Sequence, residues 1–439
     1  MTNDERQAAA HAQPGPLDAL WPAAGRQSVA ILHYTGPPTV GGVEATIAAH
    51  ARLLAADGHA VRIVAGQADY AHAGVTVLAN PALRSRGERA EQVARELSAG
   101  IVGPRFEALT AELAEWLAGA LEGADVALVH NLLTLHKNLP FTAALSRLLA
   151  EGRAPRLIAW CHDFAWRDPL YAPDLHPGYP WDLLRSAWPG VRYVAVSNDR
   201  RTLLAEMLGV PEDYVDVVPP GIDLVEFLKL EPATVALCRR LQLLEAEPLL
   251  LLPARITRRK NIELAIAVAG ALRRHGLAPR LVITGPPGPH NPTNAAYLHE
   301  LKALCEASGA RDAVVFLYEH YTDEWNRALP VSDAMLADFF KLADALLFPS
   351  AYEGFGIPII EAGLAGLPIF CSDIAPFRET AGAAAVRFAL DEPPDSIAGR
   401  LAAALHDDPR AALRRRVRRY YTWEAIYRHA VVPLLADPR

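Results

Sequence analysis

Cysteine is scarce in this chain: Cys161, Cys238, Cys305 and Cys371 lie far apart, and no two of them form a Cys-x-x-Cys pair. That spacing excludes a disulfide framework, offers no zinc-ligand pattern and fits a reducing, cytoplasmic setting. Long apolar runs are missing too. Windows such as Leu249–Pro253 and Ala343–Ser350 are broken by proline or charge well before the roughly 20 residues of a membrane span. Nor is there a surplus of positive charge. The 43 Lys and Arg against 50 Asp and Glu leave a formal net charge of −7, so the chain as a whole attracts neither nucleic acid nor an anionic membrane. An anionic ligand must be caught locally. Residues 1–26 lack the basic-then-apolar order of a secretion signal and read as a flexible N-terminal tail.

What is present is ordinary globular material: 51 % apolar and 21 % charged residues in 439, enough for two or three domains with sizeable cores. From Ser28 onward, short apolar runs alternate with longer helix-period segments, the pattern of a parallel sheet covered by helices. Ser28–Tyr34 reads as a strand, Gly41-Gly42-Val43-Glu44 opens a helix stopped by Gly58, and Ala60–Ala65 is the next strand. Strands are expected near 76–78, 126–130, 156–161, 193–197 and 215–218, and Arg89–Leu121 forms an amphipathic helical cover broken near Gly100–Pro104. The turn cluster Val218-Pro219-Pro220-Gly221-Ile222-Asp223 marks a boundary, after which a second alternation begins. The expected domains are therefore 27–218 and 219–439, with the last helices able to cross back to the first. Both are α/β and doubly wound, with ligands in a cleft at the carboxyl ends of the strands. Asp395–Leu435 is expected to be helical throughout, and its run Arg414–Arg419 to be a solvated helix face rather than a phosphate site.

Chemistry concentrates between the expected strand 345–348 and the helix after it, in Phe348-Pro-Ser-Ala-Tyr-Glu353-Gly354-Phe355-Gly356-Ile357-Pro358-Ile-Ile-Glu361. Gly354 and Gly356 allow a tight turn, and Pro358 suits a helix start, whose free N–H groups form a ready site for phosphate. Glu353 and Glu361 flank the turn. Basic residues follow the strand at 249–253 in Arg255-Ile-Thr-Arg258-Arg259-Lys260, and a cation pair there can neutralise a diphosphate, with Arg258 and Arg259 able to swap in.

With the intervening glycines, Glu353 and Glu361 match the E-x7-E signature, and the chain after residue 27 resembles the retaining nucleotide-sugar glycosyltransferases of GT-B architecture, above all family 4. That resemblance implies two Rossmann-like domains, an acceptor-side first domain and a nucleotide-sugar-binding second one. It assigns Glu361 to the nucleotide ribose, Glu353 to the donor-sugar hydroxyls, Arg255 and Lys260 to the leaving diphosphate, and the backbone of Phe355–Ile357 to the sugar. The Gly41-Gly42 loop resembles the family's N-terminal glycine loop, which approaches the donor; Glu44 could equally serve as a first-turn helix residue. His162, in Trp160-Cys161-His162-Asp163, matches the family's histidine near the reacting carbon, with Asp163 able to support it. Ser197 and the 219–223 turn match landmarks that are mainly architectural.

On the acceptor side the candidates are His130, Asn131, Asp163, Trp166 and Tyr171, with His136, Lys137, Tyr179, Trp181 and Trp188 nearby; a packed aromatic loop would look the same. No Asp-x-Asp tripeptide occurs, so the usual carboxylate pair for Mg²⁺ or Mn²⁺ is absent and metal-independent transfer is expected, with the nucleotide sugar as co-substrate and no resident cofactor. The expected activity is retaining transfer from a UDP- or GDP-sugar to a small soluble hydroxyl acceptor, departure and attack sharing one face. A sugar-nucleotide 2-epimerase of similar fold, or a non-catalytic nucleotide-sugar-binding subunit, is the alternative. Two departures from the family pattern stand out. Gly285–Asn294 is long and proline-rich, and Phe339-Phe340 stands where a tyrosine is common.

Overall fold

A computed structural model describes residues 25–288, 293–325 and 327–437. Most of the expected tail therefore lies outside the described residues, as do residues 289–292 of the proline-rich loop. The chain divides into two compact units, one running to Gly221 and including the segment from Trp423 onward, the other spanning Ile222–Thr422. The segment after Thr422 thus belongs to the first unit rather than to the second.

In the first unit a seven-stranded sheet is built from β1 (Ser28–His33), β2 (Ala60–Ala65), β3 (Val75–Ala79), β4 (Val126–His130), β5 (Arg156–Cys161), β6 (Arg192–Ala195) and β7 (Val215–Val217), ordered β3-β2-β1-β4-β5-β6-β7. Every pairing is parallel. Both faces are covered, so side chains alternate between two apolar layers. Val29, Ile31, Leu128, Ile158 and Trp160 point one way; Ala30, Leu32, Val129, Ala159 and Cys161 point the other. The first layer is closed by the helix Gly42–Ala56 through Ile47, Ala51 and Leu54, and by Trp423, Ile426, Tyr427, Val431 and Leu434 of the returning segment. The second is closed by the helices Pro104–Ala120 and Leu139–Ala150. Removing from water each such fully buried aliphatic side chain contributes about 1.5–3 kcal/mol. Gly221 is tightly placed in this unit: a Cβ there would come within 2.8 Å of the Trp423 ring.

The second unit repeats the scheme with β8 (Leu249–Leu252), β9 (Arg280–Ile283), β10 (Val314–Phe316), β11 (Ala345–Phe348), β12 (Ile369–Ser372) and β13 (Ala385–Phe388), ordered β10-β9-β8-β11-β12-β13 and parallel. All four leucines of β8 are buried, the continuous apolar run of a strand covered on both faces. Both sheets are therefore Rossmann-like, and in each the strand order reverses beside the first strand, between β1 and β4 and between β8 and β11. In such sheets ligands bind outside the carboxyl ends of the strands at that reversal. Phe339 and Phe340 are core residues of the second unit.

Two expectations are corrected. The segment before Asp395 holds the helix Ala375–Ala381 and the strand β13, which no expectation anticipated, and the helical tail is broken at Asp408, whose carboxylate caps Pro409–Tyr420 by accepting from the Arg410 and Ala411 N–H groups. The run Arg414–Arg419 is a solvated face only in part: Arg416 is exposed, but its neighbours turn inward. Arg418 is buried and donates all five of its N–H bonds, to the carbonyls of Leu244, Leu342 and Ala246 and bidentately to Asp344 at 2.9 and 3.2 Å. Arg414 donates to the Lys341 carbonyl and Arg419 to Glu247.

Candidate functional site

In the second unit the loops leaving β8 and β11 are tied together. The Ala351 N–H donates to the Arg259 carbonyl at 2.8 Å, and Ser372 Oγ donates to the Ser350 carbonyl. Arg258–Lys260 is a single 3-10 turn, so its three consecutive basic side chains leave in three directions. Lys260 turns inward over the Phe348 ring and donates to Glu353 Oε1; Ser350 Oγ donates to the same oxygen at 3.0 Å. Arg259 donates to Glu353 Oε2 at 2.9 Å. Arg258 lies over Tyr297 and pairs with Glu300. Burial alone would raise the Glu353 carboxyl, but the Lys260, Ser350 and Arg259 donors outweigh it and hold it below the usual carboxylate range. Burial dominates at Lys260 and lowers its ammonium despite the carboxylate. Arg255 is exposed and, among the described residues, has no hydrogen-bond or ion-pair partner. The cations the sequence offers for a diphosphate are thus arranged as Lys260 and Arg259 on the carboxylate, with Arg255 on the same loop and without a partner among the described residues.

Gly356 caps the helix Ile357–Leu364 in the left-handed region, at φ 96°, and a Cβ on it would come within 2.7 Å of the Phe377 ring. Both facts require glycine. Gly354 differs: its Cβ position is open. Among the described residues no acceptor takes the N–H of Gly354, Phe355, Gly356 or Ile357, so this helix start presents unused donors. Glu361 is half-buried on the same helix with no hydrogen bond to its carboxylate among the described residues. Burial, and then the charge of Asp333, raise its carboxyl. After β9, Gly285 lies on the Arg255 loop, where a Cβ would meet the Ala254 carbonyl oxygen at 2.5 Å, and Ile256 donates to the Pro286 carbonyl at 3.0 Å.

In the first unit Gly41, extended at φ −176°, precedes the helix Gly42–Ala56. Glu44 folds back over it and accepts from Thr35 Oγ1 at 2.5 Å, so a Cβ on Gly41 would displace the Glu44 carboxylate, whereas the Cβ position of Gly42 is open. At the end of β5, the His162 and Asp163 N–H groups both donate to Asn131 Oδ1, at 2.8 and 3.2 Å, and Asn131 Nδ2 donates to Asp163 Oδ2 at 3.2 Å. Asn131 sits in the left-handed region at φ 60° and is buried, so its amide is committed to holding the 162–163 turn.

Four histidines gather here, of which the sequence marks only His130 and His162 as site residues. His33 ends β1, His130 ends β4 and is fully buried, and His50 reaches in from the helix Gly42–Ala56. Its signal was available: His50 shares the helical stripe of Ile47, Ala51 and Leu54. Desolvation lowers all four rings, His50 to about 3, His162 to about 4 and His130 well below its ordinary value. Trp166 and Tyr171 lie further out. Arg185 stacks on Trp166 at 4.0 Å and Lys137 on Tyr171 at 4.2 Å, and Trp166 joins Pro169 and Leu175 in lining a small cavity.

Residues 238–422 match the family model "Glycosyl transferases group 1" and residues 40–226 the model "Glycosyltransferase Family 4". An uncharacterized glycosyltransferase of Methanocaldococcus jannaschii is 29% identical over 214 residues, 48% of this chain and 49% of that protein. The D-inositol 3-phosphate glycosyltransferase of Nocardia farcinica is 31% identical over 186 residues, 42% of this chain and 38% of its own length. The GDP-mannose-dependent alpha-(1-6)-phosphatidylinositol monomannoside mannosyltransferase of Mycobacterium tuberculosis is 30% identical over 186 residues, 42% of this chain and 44% of its own length. The chain spans about half or less of the length of these relatives. No helix among the described residues is long and apolar enough to cross a membrane.

Proposed function

The chain belongs among the family 4-like GT-B glycosyltransferases, and on that premise we propose that it moves a sugar, with retention, from a UDP- or GDP-sugar to a hydroxyl of a small soluble acceptor in the cytoplasm. The observation that carries this reading is the cluster at the carboxyl ends of β8 and β11: Lys260 and Arg259 on one carboxylate, and an Arg255 and helix-start N–H donors that have no partner among the described residues. Three cations and a set of backbone donors suit a diphosphate, whose charge grows as the bond to the anomeric carbon breaks. A contact that strengthens with that charge accelerates the step. The diphosphate takes Lys260 and Arg259 from Glu353, whose carboxylate is then released to accept from donor-sugar hydroxyls. Glu361, whose carboxylate has no hydrogen bond among the described residues, accepts from the ribose hydroxyls. The Gly41-Gly42 loop and His162 serve the donor sugar from the first unit's own sheet reversal.

Departure and attack share one face, the leaving diphosphate oxygen takes the acceptor proton, and no resident metal takes part. The mannosyltransferase relative, described as GDP-mannose-dependent, favours including GDP among the donors. The four cysteines are free and buried, in keeping with a reducing compartment. Thermal unfolding with UDP, GDP and ADP, each in EDTA, is the first test. A ligand at 100 times its Kd adds about 2.7 kcal/mol of stability, a shift of a few degrees. A shift with one nucleotide in EDTA names the donor base, and an NMR assay of the matching sugar donor with acceptors then reads transfer and anomeric configuration. No shift with any of the three overturns the reading.

A further inference from the structure

We infer that His130 is a positioning residue, fixing the neutral tautomer of His162 so that His162 presents an Nδ1–H donor and cannot serve as a base. The inference deepens the reading above and rests on it for the role of His162 beside the donor sugar.

The geometry is specific. Nδ1 of His130 and Nε2 of His162 lie 3.2 Å apart, the rings 5.5 Å between centroids and inclined by 30°. On its other sides His130 is walled by Trp160, with centroids 5.7 Å apart, and by His50 at 5.7 Å, and its own carbonyl accepts from or faces His33 Nδ1 at 2.9 Å. His130 Nε2 is buried and has no partner among the described residues. Two facing imidazole nitrogens at this distance form a hydrogen bond only when one carries a proton and the other does not. If His162 Nε2 were the donor, a neutral His130 would hold its proton on Nε2, a buried N–H with nothing to receive it. Such a group costs about 1–3 kcal/mol, and orphaned buried N–H groups are rarer than under-used acceptors.

The alternative places the proton of His130 on Nδ1 and leaves Nε2 as a bare lone pair. His162 then accepts at Nε2 and must carry its proton on Nδ1. Among the described residues that nitrogen has no partner, and it is not one of the buried unpartnered atoms, so it is open to a ligand. The backbone of His162 is held independently, through its N–H on Asn131. Neutrality of the rings is supported by their desolvation, which holds His162 at about 4. The chemical consequence is definite: His162 meets its ligand as a neutral donor, suited to a sugar hydroxyl oxygen, with its single lone pair already engaged. It has no site on which to receive the acceptor's proton.

The test is nitrogen NMR of the full chain with ¹⁵N-labelled histidine, which reads which ring nitrogen carries the proton. The expected result is His162 protonated at Nδ1 in the wild type and in His130→Asn, whose amide can stand in for the Nδ1–H donor. In His130→Phe the Nε2–H form of His162 should predominate. Steady-state kinetics should follow: kcat at least tenfold lower in His130→Phe with donor KM within about twofold, and largely restored in His130→Asn. A wild-type spectrum showing His162 protonated at Nε2 overturns the inference, whether or not either variant folds. An unchanged His162 tautomer in folded His130→Phe does the same. A chain with the expected tautomers that transfers no sugar would instead overturn the functional reading and leave the positioning role standing.

Discussion

Lys260 and Glu353, 93 residues apart in sequence, form a largely buried ion pair that Arg259 and Ser350 complete. The carboxylate therefore occupies the cations that a diphosphate would use. Lys260→Ala should lower kcat by about 10²–10³, the usual loss for one group that stabilises developing charge. Glu353→Gln should act in opposite directions on two measurements: nucleoside diphosphate binds more tightly, because Lys260 and Arg259 are released, while sugar transfer falls. Titration calorimetry showing weaker diphosphate binding by Glu353→Gln would sink this account.

Glu361 is expected to carry nucleotide affinity. Since burial and Asp333 raise its carboxyl, the proton that abolishes its acceptor role arrives at a higher pH than for an ordinary glutamate. Wild-type affinity should thus fall on acidification before Glu361→Gln affinity changes. The difference between the two chains, which cancels protonation of the phosphates, should shrink as pH falls toward the carboxylate range. Equal affinities at pH 7.5 would remove Glu361 from the site.

Gly354 and Gly356 separate fold from function within one loop. Gly356→Ala forces a left-handed alanine against Phe377 and should cost about 1–3 kcal/mol, visible as a lower Tm. Gly354→Ala meets open space and should leave Tm unchanged within about 0.5 kcal/mol. A loss of nucleotide binding in Gly354→Ala would then report on the ligand's approach.

Arg418→Ala leaves Asp344 buried and without its cation, a change that should destabilise the second unit by about 3–5 kcal/mol. Arg418→Lys should not rescue it, because an ammonium cannot reproduce the five-donor fork. Nucleotide Kd in whatever folded Arg418→Lys remains should match wild type. A weakened Kd would reopen the basic run as a ligand site.

Acid should loosen the first unit before pH 5. His50 is held neutral by burial, its value depressed to about 3, so the unfolded chain binds the extra proton between there and about 6.5. Stability from this group is complete above about 6.5 and is lost as pH falls below it, reaching about 2 kcal/mol at pH 5. His33, His130 and His162 act in the same direction. Circular dichroism melts between pH 7.5 and 5 should show a falling Tm that flattens in His50→Leu.

Legibility in the sequence followed the physics of each signal. Covered strands such as Leu249–Leu252 announce themselves as apolar runs, and the sheet reversals follow from the order of such runs. The strand β13 does not, since Ala385–Phe388 is a four-residue edge strand that carries Arg387 and has only Phe388 buried. Glu353 and Glu361 are visible as chemistry next to glycine punctuation, and Lys260 as part of a basic run after an apolar strand. That Arg259 rather than Arg255 joins Lys260 is not visible, because the choice depends on how a 3-10 turn fans three adjacent side chains. Arg418 looks like its neighbours in a basic run, and only its position opposite Asp344 sends it inward.

The return of the segment after Thr422 to the first unit has an order-of-assembly consequence. Ile222 and Thr422 form a parallel bridge, and the Ile222 N–H donates to the Tyr421 carbonyl, so the second unit enters and leaves through one doorway. During synthesis, Ile222–Thr422 has all of its own sequence before Trp423 emerges. Until then the layer of Val29, Ile31 and Trp160 is covered by the helix Gly42–Ala56 alone and lacks Ile426, Tyr427 and Val431. The part of the protein made first is therefore the part finished last: the first sheet keeps one covering layer incomplete until the segment after Thr422 has been made.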